Sequence, residues 1–268
     1  MTQGPISSAQ NLKIKMARAL AGRTRERREA EAFLAEGVRL VEDALASDWP
    51  FRFVLYSVEL SERGTRLIKR LQQRGIEIDE VSSKLMASLS DTETSQGILA
   101  VLADEKPLAA QGLNVVLIAD AVRDPGNLGT LLRSAEAAGV EAVLLGPGTA
   151  DAFAPKVVRA GMGAHFRLPI YEVSWDEIKT QVAAYNWNVY LADMRGRGCW
   201  ETQFQPPMAL IVGGEAEGAT QSARDLATRT VSIPMQGRAD SLNAAVAGSI
   251  LMFEMLRQRR PNARDMQS

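Results

Sequence analysis

The sequence predicts an α/β fold: a mostly parallel sheet with helices on both faces. Three observations carry that expectation. Strand-like apolar runs alternate with helical patterns along most of the chain. Several runs, Val115–Asp120 (VVLIAD) above all, are apolar without a break, as strands covered on both faces are. Three segments of the second half run from such a strand into a loop of Gly, Pro, Asn, Ser or acid. That layout places backbone donors and short polar side chains at strand ends, where open α/β sheets bind ligands.

The elements follow in order. Gln10–Ala46 reads as helical, with Leu12, Met16, Leu20, Phe33, Leu34, Val38, Val41 and Leu45 at helical spacings and a break at Gly22. Phe51–Val58 is an apolar run, Glu62–Arg74 a helix stopped by Gly75, and Ile76–Val81 an alternating strand. A short helix at Lys84–Asp91 and a strand at Gly97–Leu102 close a small α/β module. Asp104–Gly112 is polar, contains Pro and Gly, and reads as a linker. Domains are therefore expected at 1–106 and 113–268, and 268 residues suffice for two modest domains.

In the second domain, strand Val115–Asp120 leads to a helix over Asn127–Ala138, strand Ala142–Gly146 and a helix near Pro155–Ala160. Helix Trp175–Tyr185, strands Trp187–Asp193, Met208–Gly213 and Thr230–Pro234, and a long apolar helix Leu242–Arg257 complete it.

The composition, 46% hydrophobic and 24% charged, is that of a folded globular chain. The net charge of −1 hides an asymmetry. Lys13, Lys15, Arg18, Arg23, Arg25, Arg27 and Arg28 stand against one acid, Glu26, which suggests a basic arm on an acidic body. A single cysteine, Cys199, excludes an intrachain disulfide and fits a cytoplasmic protein. With one histidine, His165, beside it, no His/Cys zinc cluster is available and no metal is expected. No apolar run reaches a membrane-spanning length, and no apolar stretch at the N-terminus reads as a signal peptide.

Each chemistry-bearing segment has a structural reading beside a functional one. Asn127 follows Pro125-Gly126 and suits a helix cap; Arg133, six residues on, is either a surface arginine or a guanidinium aimed at a phosphate. Gly213-Gly214-Glu215-Ala216-Glu217-Gly218 is either a plain turn or a loop whose backbone a ligand approaches closely. Ile233-Pro234-Met235 ends a strand; Ser241 or Asn243 suits the cap of the last helix. The small residues Ala244, Ala245, Ala247 and Gly248 mean close helix packing or room for a ligand.

Together, Asn127-x-Gly129-x-x-x-Arg133, the Gly213–Gly218 loop, and Ile233-Pro234-Met235 followed by Ser241-Leu242-Asn243 resemble the three motifs of the SpoU/TrmH family. These are S-adenosylmethionine-dependent RNA ribose 2′-O-methyltransferases of the SPOUT superfamily. The similarity spans roughly Leu113 to Leu256, and the rest resembles the ribosomal-protein-like substrate-binding domain of many members. The resemblance implies a deep trefoil knot in the C-terminal SPOUT domain, a homodimer, and methylation of ribosomal RNA, 23S above all, with transfer RNA as the alternative. It implies catalytic positions at Asn127, Arg133, Glu215, Ser241 and Asn243, and cofactor contacts at Gly213, Gly214, Ile233, Met235 and Leu242. Arg23, Arg25, Arg27, Arg28 and Arg39 are the expected RNA contacts. The chain departs from the family at Gly161, where Ser is usual, and at Gly214, where Asn or Ser is common.

Two rival classes are weighed. A nucleotide-binding dehydrogenase wants a G-x-G-x-x-G turn after a strand, which Asp120–Gly139 lacks. A non-catalytic RNA-binding protein of the same fold is opposed by the retained Arg133 and Asn243. His165, lone and ring-bearing, reads as structural.

Overall fold

The computed structural model describes residues 4–90, 95–105, 112–215, 217–237 and 241–259, and its chain divides into two units. The first is Met1–Lys106 with Asp151–Phe166; the second is Pro107–Ala150 with Arg167–Ser268. The segment Asp151–Phe166 thus belongs with the first unit, although in sequence it lies inside the second half. Most of the expected linker Asp104–Gly112 lies outside the described residues.

The first unit contains α1 (Leu12–Gly22), α2 (Thr24–Ala30), β1 (Ala32–Glu36), α3 (Val38–Ala46), β2 (Phe51–Tyr56), α4 (Glu62–Gln73), β3 (Ile78–Glu80), α5 (Ser83–Leu89) and β4 (Ile98–Ala103). Its sheet has the order β1-β4-β2-β3, antiparallel except for the β2–β3 pair. The expectation of helix from Gln10 to Ala46, broken at Gly22, is corrected by β1. Phe33 and Ala35 point into one apolar cluster, Ala32 and Leu34 into another across the sheet. A strand buried on both faces shows no alternation, so its apolar residues fit a helical period equally well. Gly22 does end a helix: α1 stops there and α2 starts at Thr24.

The second unit carries β5 (Val115–Asp120), α6 (Pro125–Ala137) and β6 (Ala142–Leu145). The helix Pro155–Gly161, in the segment grouped with the first unit, is α7. Then come β7 (Ile170–Glu172), α8 (Trp175–Tyr185), β8 (Asn188–Gly198), β9 (Met208–Gly213), α9 (Gln221–Leu226), β10 (Arg229–Ser232) and α10 (Ala244–Arg259). The six strands pair in the order β10-β8-β9-β5-β6-β7, every pair parallel. All six residues of β5 are buried, as its unbroken apolar run requires. Ser174 and Glu177 form a capping box that starts α8. Helix α10 packs against α6 and β9 at Gly248, where an added Cβ would lie 2.5 Å from Leu131 Cδ2 and 3.0 Å from Val212 Cγ2. Close packing is therefore the role of that glycine. No helix among the described residues is long and apolar enough to cross a membrane.

Candidate functional site

Parallel pairing brings the strand ends together. Asp120 is in register with Gly213 across β5 and β9, and Leu191 with Ile211 across β8 and β9. The loops that leave these strands emerge side by side at one edge of the sheet. The chain leaving β8, β9 and β10, with the start of α10, lines a cavity of about 870 Å³. Apolar side chains of Val212, Ile233, Leu242 and Leu251 line it, with the backbone of Gly213 and Gly214 and the polar groups of Asp193, Arg195, Glu215 and Arg224. Ala244 and Ala247 also face it, which answers the question of room against packing at the start of α10. Apolar walls with a few convergent polar groups characterise small-molecule sites.

The glycine/glutamate loop is pinned at both ends. The buried Asp120 accepts the Thr220 backbone N–H on Oδ2 (2.6 Å) and the Thr220 hydroxyl on Oδ1 (3.1 Å). Burial pushes the Asp120 carboxyl above its ordinary value, and the two Thr220 bonds act against that push. Thr220 Oγ1 in turn accepts the Ala223 N–H and caps α9. A Cβ on Gly213 would lie 2.5 Å from Ala219 N, and one on Gly214 would collide with Ala121 O. Ala216 lies outside the described residues.

Three motif side chains join in one hydrogen-bonded chain. Asn243 Oδ1 accepts the N–H groups of Ala245 (2.9 Å) and Val246 (3.2 Å), capping α10. That bond set leaves the Asn243 amide nitrogen facing outward, and it donates to Asn127 Oδ1 at 2.9 Å. Asn127 Nδ2 then donates to Glu215 Oε1 at 2.6 Å. The backbone of α10 thereby dictates both amide orientations and leaves the glutamate as pure acceptor. Asn127 is free for this because it is not the cap of α6; Asp124 Oδ1 accepts the Asn127 N–H (2.8 Å), with Pro125 in the first turn.

Gly213, Gly214, Ile233, Met235 and Leu242 all line the cavity, as do Glu215, Ser241 and Asn243. Arg133 does not. Six residues past Asn127, it lies about 120° away around α6. It is exposed, with no hydrogen bond or ion pair among the described residues.

Asp193, Arg195 and Arg224, polar residues of the cavity, escaped the sequence reading. Asp193 accepts the Arg195 backbone N–H (3.0 Å) and an Arg224 guanidinium bond (2.8 Å), which hold its carboxyl down to about 2. An acid at the end of a parallel strand was the available signal; Arg224, on the six-residue α9, carried none.

The basic arm is less uniform than its sequence. Arg27, expected among the RNA contacts, is 5% exposed. Its guanidinium binds Asp151 Oδ2 through Nε (2.8 Å) and Nη2 (2.7 Å), the Leu20 carbonyl through Nη1 (2.7 Å) and Thr24 Oγ1 (3.2 Å). That expectation is corrected: the side chain is buried, with four of its five N–H donors taken inside the protein, and serves as an internal tie. Lys13 is held by Glu77 and Asp79. Arg23, Arg25, Arg28 and Arg39 are exposed, Arg25 pairing with Glu29 at 2.7 Å. His165 is buried, its Nε2 at 2.7 Å from the Ala152 carbonyl oxygen, and burial lowers its pKa to about 4. It is a neutral structural ring.

A family model described as the SpoU rRNA Methylase family matches residues 114–253, and one described as the MRM3-like substrate binding domain matches residues 11–100. The chain is 37% identical over 253 residues to a 23S rRNA (guanosine(2553)-2′-O)-methyltransferase of Bacillus subtilis, covering 93% of this chain and 98% of that one. It is 31% identical over 268 residues to a 23S rRNA (uridine(2479)-2′-O)-methyltransferase of Streptomyces viridochromogenes, covering 94% and 92%. A crystal structure of an AdoMet-bound rRNA methyltransferase from Sinorhizobium meliloti superposes with a TM-score of 0.84 at 29% identity, covering 96% and 98%.

Proposed function

The chain belongs to the SpoU rRNA Methylase family, and we propose on that premise that it methylates a ribose 2′-hydroxyl of ribosomal RNA with S-adenosylmethionine as methyl donor. The observation that carries this reading is the Asn243–Asn127–Glu215 chain, which ties the first motif to a cavity lined by the other two. A cavity of about 870 Å³ with apolar walls and glycine backbone is ample for the cofactor's adenosine. Gly213, Gly214, Ile233, Met235 and Leu242 would hold it there. The bound cofactor would supply a methyl group activated by attachment to a sulfonium.

In the transfer, the ribose O2′ would take the methyl carbon as its bond to the sulfonium sulfur broke, leaving a neutral thioether, and the hydroxyl proton would pass to an acceptor on the protein. The chain's contribution is chiefly positional. Glu215 has one oxygen committed to Asn127, and its other oxygen is the acceptor for that proton. Arg133 stays protonated in a protein, so it is no base; it binds the adjacent phosphate and stabilises the developing alkoxide. Ser241 and Asn243 hold the loop edge. Residues 1–106, with exposed Arg23, Arg25, Arg28 and Arg39, act as the RNA-binding domain, and 113–268 as the catalytic domain.

A cytoplasmic homodimer with a deep trefoil knot belongs to the same reading. The exposed Val246 and Phe253 lie seven residues apart on one face of α10, starting one turn from Asn243. A second copy on that face would stand beside the site.

Calorimetric titration with S-adenosylmethionine, paired with mapping of 2′-O-methyl groups in RNA from cells with and without the protein, tests the proposal. Cofactor uptake and one missing ribosomal methyl group are expected. Absence of uptake would reduce the chain to an RNA-binding protein; a missing transfer-RNA methyl group would move its substrate.

A further inference from the structure

The end of β8 carries a pattern that starts at the cavity wall and runs beyond it: Met194-Arg195-Gly196-Arg197-Gly198, followed by Trp200. Along a strand, successive side chains point to opposite faces. At Gly196 an added Cβ would lie 2.5 Å from Thr230 C and Val231 N, and at Gly198 it would lie 3.2 Å from Pro234 Cγ. The two glycines therefore occupy the crowded face against β10 and the chain beyond it. Arg195 and Arg197 share the other face, with side chains 82% and 69% exposed. The ladder agrees: partners of β10 jump from Leu191 at Thr230 to Arg197 at Val231, so residues 192–196 leave the regular pairing.

Neither guanidinium is spent. Arg195 meets Asp193 at 3.4 Å and Arg197 meets Glu201 at 4.0 Å, both loose pairs in water. The Asp193 charge is already matched by Arg224. Beside them Met194 is 67% and Trp200 59% exposed. Trp200 sits in the 3-10 turn Cys199–Glu201, which continues directly from β8. Met194 and Arg195 also line the cavity. A strip of two free guanidiniums and an open indole thus leads out of the candidate cofactor site.

We propose that this strip is a second RNA contact: the strand flanking the target nucleotide lays phosphates on Arg195 and Arg197 and stacks a base on Trp200. The proposal deepens the function proposed above and rests on it. Guanidinium donors fork onto phosphate oxygens, and aromatic faces bind unpaired bases without regard to sequence. The charge is complementary to RNA, and the strip is continuous with the cavity where the ribose must sit.

The test uses the full-length protein and two probes: a ribosomal RNA transcript and a single-stranded oligoadenylate of about ten nucleotides. Affinities are measured over a range of salt for Arg197→Ala, Trp200→Ala and Trp200→Phe, with S-adenosylmethionine binding measured in parallel. Arg197→Ala should weaken RNA binding several-fold and flatten the salt slope by about one phosphate's share. Trp200→Ala should cost about tenfold with little change of slope, and Trp200→Phe should restore most of it. Cofactor binding should stay within about twofold in all three, since neither residue lines the cavity. Unchanged RNA affinity and slope would overturn the proposal, and a loss of dimer in sedimentation would assign the strip to a second copy instead. If the unaltered protein binds RNA but no cofactor, the proposed function fails while the strip can still pass its own test.

Discussion

Arg27 and Arg133 are both arginines on short helices, and their surroundings treat them in opposite ways. Arg27 in the first unit is surrounded by acceptors: a carboxylate, a carbonyl and a hydroxyl use its nitrogens, and water scarcely reaches it. Arg133 in the second unit has no partner among the described residues and stands in solvent. A buried ion is tolerated only when its neighbours replace most of its hydration, and a group so satisfied has little left to offer a ligand. An arginine with every donor unspent carries the opposite mark. The comparison therefore ranks the basic residues by what they have left over.

The largest effect should come from breaking the satisfied one. Arg27→Ala leaves Asp151 buried without its counter-ion, and urea unfolding should report a loss of about 3–5 kcal/mol. A loss under about 1 kcal/mol would mean that Asp151 rehydrates freely and that the contrast is overdrawn. Next, Arg133→Ala should lower methyl transfer about 100-fold while cofactor affinity and unfolding stability hold. Turnover within a few-fold of the parent would remove Arg133 from the chemistry. Smallest, the joint replacement of Arg23, Arg25 and Arg28 by Ala should weaken RNA binding about tenfold and flatten its salt dependence, with stability unchanged. An unchanged salt slope would leave the arm as a solvated helix face.

The same contrast explains which features could be read from the chain. Alternation of apolar runs with helical patterns sets out the second sheet almost strand by strand, because parallel strands must be apolar throughout. β1 was hidden for that very reason, its Phe33 and Leu34 serving two cores on opposite faces. β7, at three residues, is too short to show a period. In the site, Asn127, Glu215 and Asn243 could be found because each lies in or just after a stretch whose glycines and prolines mark a strand end. Their bonding order could not, since it depends on Asn243 first capping α10. Arg27 could not be told from Arg28, because its partner Asp151 is 124 residues away. Asp193 lay unremarked at a strand end, and Arg224 came with no motif at all.

One amide ties the last helix to the chemistry. The oxygen of Asn243 fastens the first turn of α10, and its nitrogen sets the orientation of everything up to Glu215. Fraying at that turn and release of Glu215, the proposed proton acceptor, are then the same event. On warming, such an enzyme should fall silent while its sheets are still intact, and recover on cooling without having to refold.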